Sequence, residues 1–453
     1  MEKLIKTALK SAKADYVEIR IQEGVSTGIT YVGKELESIG ENTAFGGCVR
    51  ALINGGWGFV AFNDHENLPR YVEMACEQAQ FVGAEKSQLA QVPTINDHVK
   101  TKVEIDPADI SLTDKQAICN KYNNMILSSK QIQTSNVRYV DSHGTIYFAN
   151  TNGSFIIQET IFCGISLLAM ARDGMNVQQS YHSVGDLRGF TNVQNMEHKC
   201  EEVTKRAVDL LTAKPVTGGK YSVIIDPKLC GVFVHEAFGH LSEADFIYEN
   251  AKMREIMVIG KRFGIDALSI VDDGSLVGEA GYNKYDSEGT PTQKTYLIKN
   301  GILTNRLHSR ETAAKMNEKP TGNARAINYA HAPIVRMTNT YMEPRNYTFE
   351  KMLSEVDNGI YAIGALGGQT NMEMFTFSAE EAYMIRNGKI QEKIRDVVLT
   401  GNVFETLMNI DAIGNDLKIH GGLGGCGKGG QSPLRVSDGG PHVRIQNVVI
   451  GGR

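Results

Sequence analysis

The chain has 453 residues, a length that accommodates two or three domains. Its hydrophobic content of 42% and charged content of 22% are typical of a globular protein, and a net charge of −5 without a dense lysine or arginine run argues against nucleic acid as a partner. No run approaches about 18 uninterrupted apolar residues, so the sequence predicts neither a transmembrane helix nor a membrane partner.

Residues 1–82 predict a helix, several strands and a second helix. The first segment, MEKLIKTALKSAKADY, is amphipathic and lacks the apolar core of a signal peptide, which predicts a helix of a cytoplasmic protein. Val17, Ile19 and Ile21 alternate as in a half-buried strand, and Asn54-Gly55 predicts a tight hairpin turn. The seven cysteines are scattered without a C-x-x-C pair, as expected for reduced thiols in the cytoplasm.

A polar connector at residues 88–106 leads into the next predicted helix. SLTDKQAICNKYNNMILSSK, residues 111–130, has helical spacing, with Ser111 or Thr113 as its cap. Long strands and a further helix complete this part, over residues 136–174 and 192–213.

The segment PVTGGK, from Pro215 to Lys220, marks the predicted domain boundary. A short buried strand, one helix and a succession of strands and glycine turns follow it. Asn-Gly pairs predict two of the hairpins, at 300–301 and 387–388. The predicted fold class is therefore α+β, with an N-terminal domain at residues 1–215 and a β-rich C-terminal domain at residues 216–453 that carries the helix described next.

That helix contains GVFVHEAFGHLSEAD, residues 231–245. His235 and Glu236 stand side by side as in H-E-x-x-H zinc helices, but the second histidine, His240, comes one residue late. In a regular α-helix, residues five apart point about 140° away from each other. A π-bulge would absorb the extra residue, or the helix would end or bend at Gly239. Without such an irregularity, the two histidines are ordinary core or surface residues.

Three acidic residues accompany the histidines. Glu236 lies where its carboxylate would reach a water molecule on a metal held by His235. Glu243 and Asp245 would orient the histidines as hydrogen-bond acceptors, or they form a solvated helix end. Glu243 is also a candidate third ligand.

The best candidate for a third ligand lies in HGGLGGCGKGGQSP, residues 420–433. Cys426 offers a thiolate, and the surrounding glycines allow close approach of the backbone. A lone cysteine in such a loop is otherwise an unpaired thiol. The loop also matches G-x-G-x-x-G and the phosphate-loop pattern, but Gly429 stands where a serine or threonine is required and no helix plainly follows, so nucleotide binding is discounted.

Together, HEAFGHLSEAD, TGNARAINYAHAPIVRMTNTYM (residues 321–342) and the glycine–cysteine loop resemble the TldD/PmbA family of cytoplasmic metallopeptidases. GCVRALINGGWGFVAF near the N-terminus extends the likeness, which covers essentially the whole chain and points to the metal-bearing, TldD-like branch. The resemblance implies His235, His240 and Cys426 as metal ligands and Glu236 as catalytic base. It also implies an α/β N-terminal domain, a barrel-like C-terminal domain, and hydrolysis of unfolded peptides in a complex with a PmbA-like (TldE-like) subunit.

We therefore expect one Zn²⁺ per chain, with Glu236 taking a proton from the activated water and delivering it to the leaving amine. One thiolate ligand weakens the Lewis acid, so an oxyanion donor is expected from the backbone of the glycine loop, or from Arg325 or His331. The peptide is expected to bind as an added strand beside that loop. The site is expected to be enclosed in a homodimer or in a heterodimer with the PmbA/TldE-like paralogue.

Three other interpretations stay open. The first is a structural zinc site with Glu243 as fourth ligand, in a non-catalytic binding or regulatory protein. The second is a protein that acts on nucleic acid, against which the acidic balance speaks. The third is a cysteine hydrolase that pairs Cys426 with His420 or His442.

Overall fold

The N-terminal half is built on one large, mainly antiparallel sheet. The computed structural model describes residues 1–82 and 87–451. Within these residues the strands of this sheet are β1 (Tyr16–Val32), β2 (Glu35–Ile53), β3 (Gly56–Phe62), β4 (Asn96–Val99), β5 (Ile132–Asn150), β6 (Phe155–Asp173) and β7 (Asn176–Asp186). The helices that pack on it are α1 (Glu2–Leu9), α2 (Leu68–Phe81), α3 (Leu112–Leu127) and α4 (Glu197–Thr212).

The strand order of this sheet is β3-β2-β1-β5-β6-β4, and β7 also pairs with β6. Alternation decides which face is covered: Val17, Ile19 and Ile21 are buried under α1 and α2. Arg20 lies between them in sequence and points to the opposite face, where it donates hydrogen bonds to the carbonyls of Asn328 and His331. The sheet therefore packs its second face against the C-terminal half.

The C-terminal half contains many short strands. Within the described residues these are β8 (Lys214–Pro215), β9 (Gly219–Ile225), β10 (Ile270–Asp273), β11 (Lys294–Lys299), β12 (Ile302–Leu303), β13 (Ala324–Arg325), β14 (Ile334–Val335), β15 (Asn339–Met342), β16 (Asn358–Asn371), β17 (Met374–Arg386), β18 (Lys389–Arg395), β19 (Val398–Asn402), β20 (Ile410–Ile413), β21 (Lys418–Gly421), β22 (Cys426–Lys428), β23 (Gln431–Leu434), β24 (Ser437–Gly440) and β25 (Val443–Gly451). The helices are α5 (Pro227–Val234), α6 (Ala244–Glu249), α7 (Ala251–Ile256), α8 (Arg310–Met316), α9 (Phe349–Ser354) and α10 (Val403–Met408).

Five of these strands close into a barrel. β16 pairs with β9, β9 with β25, β25 with β19, β19 with β17, and β17 returns to β16. Helix α5 packs against it through Phe233, whose ring lies 5.6 Å from Phe375 and 6.0 Å from Phe377. The predicted α+β class, with a β-rich and barrel-like C-terminal part, is confirmed.

Besides the two-stranded pairing of β13 with β14, two further sheets lie in the described part of the C-terminal half. One has six strands in the order β12-β11-β10-β15-β24-β21. The other is the two-stranded hairpin of β22 and β23, in which Cys426 is paired with Leu434. Strand β21 leads directly into the glycine-rich loop, so both sheets meet at that loop.

Several local predictions are confirmed and others needed correction. The three Asn-Gly turns have positive φ at both residues, at 54–55, 300–301 and 387–388. Ser111, rather than Thr113, caps α3 by accepting a hydrogen bond from the backbone N–H of Asp114. The predicted connector at 88–106 contains a strand, β4, because its backbone pairs in parallel with the start of β6. No helix within residues 1–82 and 87–451 is long and apolar enough to cross a membrane.

Candidate metal centre

The motif helix is fixed at its start by Asp226. This side chain caps α5 by accepting a hydrogen bond from the backbone N–H of Leu229 at 2.9 Å, and it accepts another from Gly364 of β16 at 2.9 Å. Pro227 stands at the first helical position, where no N–H is required. The cap therefore ties the helix that leads to His235 directly to the barrel.

The helix changes its pitch at the histidines. After α5, a π-helical turn spans His235–Gly239 and a 3₁₀ turn spans His240–Ser242. The backbone N–H of His240 donates to the carbonyl of His235, five residues earlier, which brings the two side chains to the same side. Of the two irregularities predicted from the sequence, the structure has the π-turn.

Gly239 serves this turn in a way that the sequence did not indicate. Its backbone is helical, with φ −57° and ψ −53°, so the conformational freedom of glycine is not used. A Cβ atom here would lie 2.0 Å from Sδ of Met337. Glycine is present because β15 and the segment before it approach the helix closely.

The structure brings His235, His240 and Cys426 together. The two imidazole rings are 5.3 Å apart between centroids and perpendicular, and Sγ of Cys426 lies 3.3 Å from Nε2 of His240. One ligand atom from each residue lies within 4.8 Å of the others. In the part of the chain that the structure describes, this is the one group of three or more histidine, cysteine, aspartate or glutamate side chains with such spacing.

Cys426 is held in place by an arginine that sequence reasoning missed. The fully buried Arg336 donates to the carbonyl of Cys426 at 2.7 Å and to the carbonyl of Gln431 at 3.1 Å, so it joins both strands of the hairpin. Gly425 lets the strands meet, because a Cβ there would lie 2.4 Å from the carbonyl oxygen of Leu434. Arg336 belongs to the 321–342 segment, whose signal was its likeness to the family and not its chemistry.

The electrostatics of the three residues favour a thiolate. Burial would raise the pKa of Cys426, but hydrogen bonds from His235 and His240 and the charges of both rings lower it to about 5. Burial would likewise lower the pKa of His240, but its contacts with Cys426 and Glu243 raise it to about 11. These shifts favour the thiolate form of Cys426, which is the form of cysteine that binds a metal.

These donors fit zinc. Two imidazoles and one thiolate are a borderline-soft set, and three protein ligands leave one coordination position open, as in catalytic zinc sites. Nδ1 of His235 is buried and has no hydrogen-bond partner among the residues that the structure describes. A buried imidazole nitrogen without a partner is costly unless its lone pair is used by a metal or by water.

Glu236 lies beside the three donors without being engaged by them. Its Oε2 is 3.8 Å from Nε2 of His240, beyond hydrogen-bond distance, and its side chain is 28% exposed. It makes no hydrogen bond to any residue in 1–82 or 87–451. A carboxylate that is near the site, accessible and uncommitted can accept a proton from a water molecule there.

Glu243 and Asp245 lie behind the second histidine. Oε2 of Glu243 contacts Nδ1 of His240 at 3.0 Å, so Glu243 orients the ring from the side away from Cys426. Burial would raise the pKa of Glu243, but the charge of Lys428 and the contact with His240 hold it below its usual value. Asp245 accepts hydrogen bonds from the Val335 N–H and from Lys428.

The remaining candidates are engaged elsewhere. Arg325 donates to the carbonyls of Met337 and Arg435, and His331 contacts Asn328, so both are used in holding loops together. His442 lies between Asp416 and Tyr361. Within the described ranges, neither His442 nor His420 is a hydrogen-bond partner of Cys426, which instead contacts the imidazole of His240.

Comparison with family models covers nearly the whole chain. Residues 218–452 match the PmbA/TldA metallopeptidase C-terminal domain, residues 17–79 match domain 1 of the same family, and residues 105–214 match its central domain.

Individual relatives agree with these matches. A metalloprotease of Synechocystis, slr0863, is 44% identical over 97% of this chain and 96% of its own length. A zinc metalloprotease TldD homologue of Saccharolobus solfataricus is 27% identical over the full length of both chains. Among solved structures, a protein from Thermotoga maritima is named a putative modulator of a DNA gyrase. Its TM-score is 0.81 at 21% sequence identity, and the match covers 99% of this chain and 100% of that chain. TldE from Thermococcus kodakarensis has a TM-score of 0.79 at 16% identity over all of both chains. At these identities the two structures establish the fold alone.

Proposed function

The chain belongs to the PmbA/TldD family of metallopeptidases, and from this premise we propose that it is a zinc-dependent peptidase that hydrolyses short or unfolded peptides. The observation that carries the proposal is the convergence of His235, His240 and Cys426 beside an uncommitted Glu236. The zinc metalloprotease named in Saccharolobus solfataricus supports the choice of metal.

Each side chain has a distinct task in this proposal. His235, His240 and Cys426 would hold one zinc ion per chain, which would supply a Lewis acid for the activation of a water molecule. Glu236 accepts a proton from that water and delivers it to the leaving amine. Glu243 keeps the His240 ring oriented through Nδ1, which leaves Nε2 on the side of Cys426.

The substrate is proposed to bind as an added strand beside Cys426. Strands β22 and β23 pair only with each other among the described residues, so the hairpin that carries Cys426 has unpaired edges. A peptide that pairs with such an edge is read through its main chain, with little dependence on sequence. Folded proteins are excluded because their backbone is already paired.

The working form is proposed to be a dimer that encloses the site, either with a second copy or with a PmbA/TldE-like chain. The full-length likeness to TldE supports a paralogous partner of the same shape. A cytoplasmic location is supported by the seven cysteines, all of which are free. The proposed division into domains stays at residues 1–215 and 216–453, of which Gly452 and Arg453 lie outside the described residues.

The alternative is a non-catalytic, zinc-stabilised binding protein, which would require a fourth protein ligand. Glu243 was the candidate for that place, and it contacts Nδ1 of His240 and Lys428 instead. The proposal is tested with one protein substrate in folded and unfolded form, incubated with this chain alone and with the paralogue. We expect cleavage of the unfolded form only. Equal cleavage of both forms by a monomer would rule out the enclosed-strand arrangement, and no cleavage in any combination would favour the alternative.

A further inference from the structure

A cavity of about 1070 Å³ separates the two halves of the molecule. Its floor is the second face of the N-terminal sheet, formed by β1, β5 and β6. Its other wall is formed by C-terminal segments, including 282–287, 325–329 and 433–435. The cavity is large enough for several residues of a peptide.

Arg20 is one of the residues that line the cavity. It is 3% exposed and donates through Nη2 to the carbonyls of Asn328 and His331. Its Nε and Nη1 are buried and have no hydrogen-bond partner within the described chain. A guanidinium has five N–H donors and no acceptor. The side chain that faces these donors across the strand pair is the thiol of Cys48, a weak acceptor, so they remain available to an added carboxylate.

Arg325 and Arg435 line the opposite wall of the cavity. Arg325 donates to the carbonyl of Arg435 at 2.8 Å, and Arg435 stacks 3.8 Å above the Phe162 ring and donates to Oγ of Ser142 at 3.1 Å. Arg325 is three residues from Asn328, whose carbonyl accepts a hydrogen bond from Arg20, so at most about 11 Å of chain separates Arg325 from that contact. Burial lowers the pKa of both Arg325 and Arg435 to about 10.

The described carboxylates that line the cavity form no salt bridge with these arginines, although the charges of Asp272 and Asp286 act on Arg325. Asp286 accepts hydrogen bonds from the backbone N–H groups of residues 288, 290 and 324. Glu159 accepts from His98 and Thr101. Across the residues that the structure describes, Arg20, Arg325 and Arg435 form hydrogen bonds to carbonyl and hydroxyl oxygens and no salt bridge to a carboxylate.

The cavity adjoins the metal centre. Leu434 lines it and is the residue paired with Cys426 across the β22–β23 hairpin. Arg435 follows directly. A peptide strand added to this hairpin would therefore extend from the three metal-binding side chains toward the arginines.

We propose that this arginine-lined cavity is a subsite for acidic residues of the peptide substrate. This inference rests on the proposed peptidase function. It adds a preference for acidic side chains, which the pairing of a peptide strand through its main chain does not provide. Guanidinium groups bind carboxylates through charge-assisted hydrogen bonds, which are strongest where water is excluded.

The test uses a short fluorescein-labelled peptide rich in glutamate and its glutamine counterpart. Binding is measured by fluorescence anisotropy on the full chain carrying Glu236→Gln, which prevents cleavage. We expect the acidic peptide to bind at least about tenfold more tightly, the factor expected from one charge-assisted hydrogen bond. Adding Arg435→Gln should remove most of this difference and leave binding of the glutamine peptide unchanged, while Arg435→Lys should restore part of it. Equal binding of both peptides, or an equal loss for both, would overturn the inference.

Arg345→Gln is the matched control. Arg345 also donates to a serine hydroxyl, Oγ of Ser269 at 2.8 Å, but does not line the cavity. The backbone carbonyl of Arg435 still accepts from Arg325 in Arg435→Gln, so the fold is expected to survive, and thermal unfolding checks it. If both peptides bind equally well and the unsubstituted enzyme cleaves both, the acidic subsite is wrong and the proposed peptidase function stands. Charge-dependent binding without cleavage would instead contradict the proposed function.

Discussion

Lys428 and Glu243 connect the two chain segments that meet at the candidate metal centre. Nζ of Lys428 lies 3.1 Å from Oε2 of Glu243, the same oxygen that contacts Nδ1 of His240 at 3.0 Å. Lys428 also contacts Asp245 at 2.6 Å and the carbonyl of Val335 at 2.9 Å. Because Lys428 is two residues after Cys426, one ammonium group sets the position of the cysteine strand relative to the second histidine.

Lys428→Met is therefore expected to weaken zinc binding by roughly 10- to 100-fold, the usual cost of losing a group that orients a metal ligand. The affinity is measured by competition with a chromogenic chelator, which does not require activity. Lys393→Met is the control, because Lys393 also pairs with two carboxylates, Asp209 at 3.2 Å and Glu381 at 2.9 Å, away from the site. Unchanged zinc affinity in Lys428→Met would show that the connection has no role in metal binding.

Cys426→Ser is expected to lose most of the bound zinc while the protein remains folded. A serine hydroxyl stays protonated near neutral pH, whereas contacts with the two histidines lower the pKa of the cysteine to about 5. Metal analysis of the purified variant, beside its circular dichroism spectrum, measures both outcomes. Normal zinc content would remove Cys426 from the ligand set.

Glu236→Gln is expected to retain zinc and the native structure but to lose turnover by roughly 10²- to 10⁴-fold, because an amide cannot accept the proton. Peptide cleavage and metal content are measured on the same sample. If the variant loses its zinc instead, Glu236 is a ligand and the assignment of the base is wrong.

Gly239→Ala is expected to reduce the free energy of unfolding by about 1–3 kcal/mol and to weaken zinc binding, because the new methyl group would overlap Met337. Gly28→Ala is the control, since a Cβ there meets no atom within 4 Å. Adding Met337→Ala should make the double variant less unstable than the sum of the single changes. Strict additivity, measured by urea unfolding, would show that the close approach is not the reason for glycine.

His420 predicts a pH dependence of stability. Burial and then the charge of Lys228 lower its pKa in the folded protein to about 4, below the ordinary value near 6.5. As pH falls from about 6.5 to about 4, His420 binds a proton in the unfolded chain but not in the folded chain. The free energy of unfolding therefore decreases by at most about 3 kcal/mol, and solvent screening makes the decrease smaller. His420→Gln should flatten this slope in metal-free protein. If the free energy of unfolding falls equally between pH 7 and pH 4 in the unsubstituted protein and in His420→Gln, the lowered pKa of His420 is not the cause.

Much of the fold could be predicted because local patterns determine it. The alternation of Val17, Ile19 and Ile21 and the Asn-Gly turns depend on neighbouring residues alone. Barrel closure could not be deduced from such patterns, because the pairing of β9 with β25 joins segments more than two hundred residues apart. The barrel was expected only through resemblance to the family.

The site shows the same division. The late histidine predicted a helical irregularity, and the π-turn at His235–Gly239 is one of the two forms considered. The reason for Gly239 depends on Met337, almost a hundred residues away, so spacing could not reveal it. The roles of Arg336 and Lys428 were missed for the same cause: each acts through contacts that only the folded chain creates.

The closure of the barrel by β25 has a consequence for synthesis. The first strand of the barrel, β9, emerges from the ribosome long before its neighbour β25, which ends at Gly451. During most of translation β9 therefore lacks one of its two neighbouring strands. Cys426 is likewise synthesised 186 residues after His240. With the proposed ligand set, a nascent chain therefore has no complete group of metal donors until Cys426 has been synthesised.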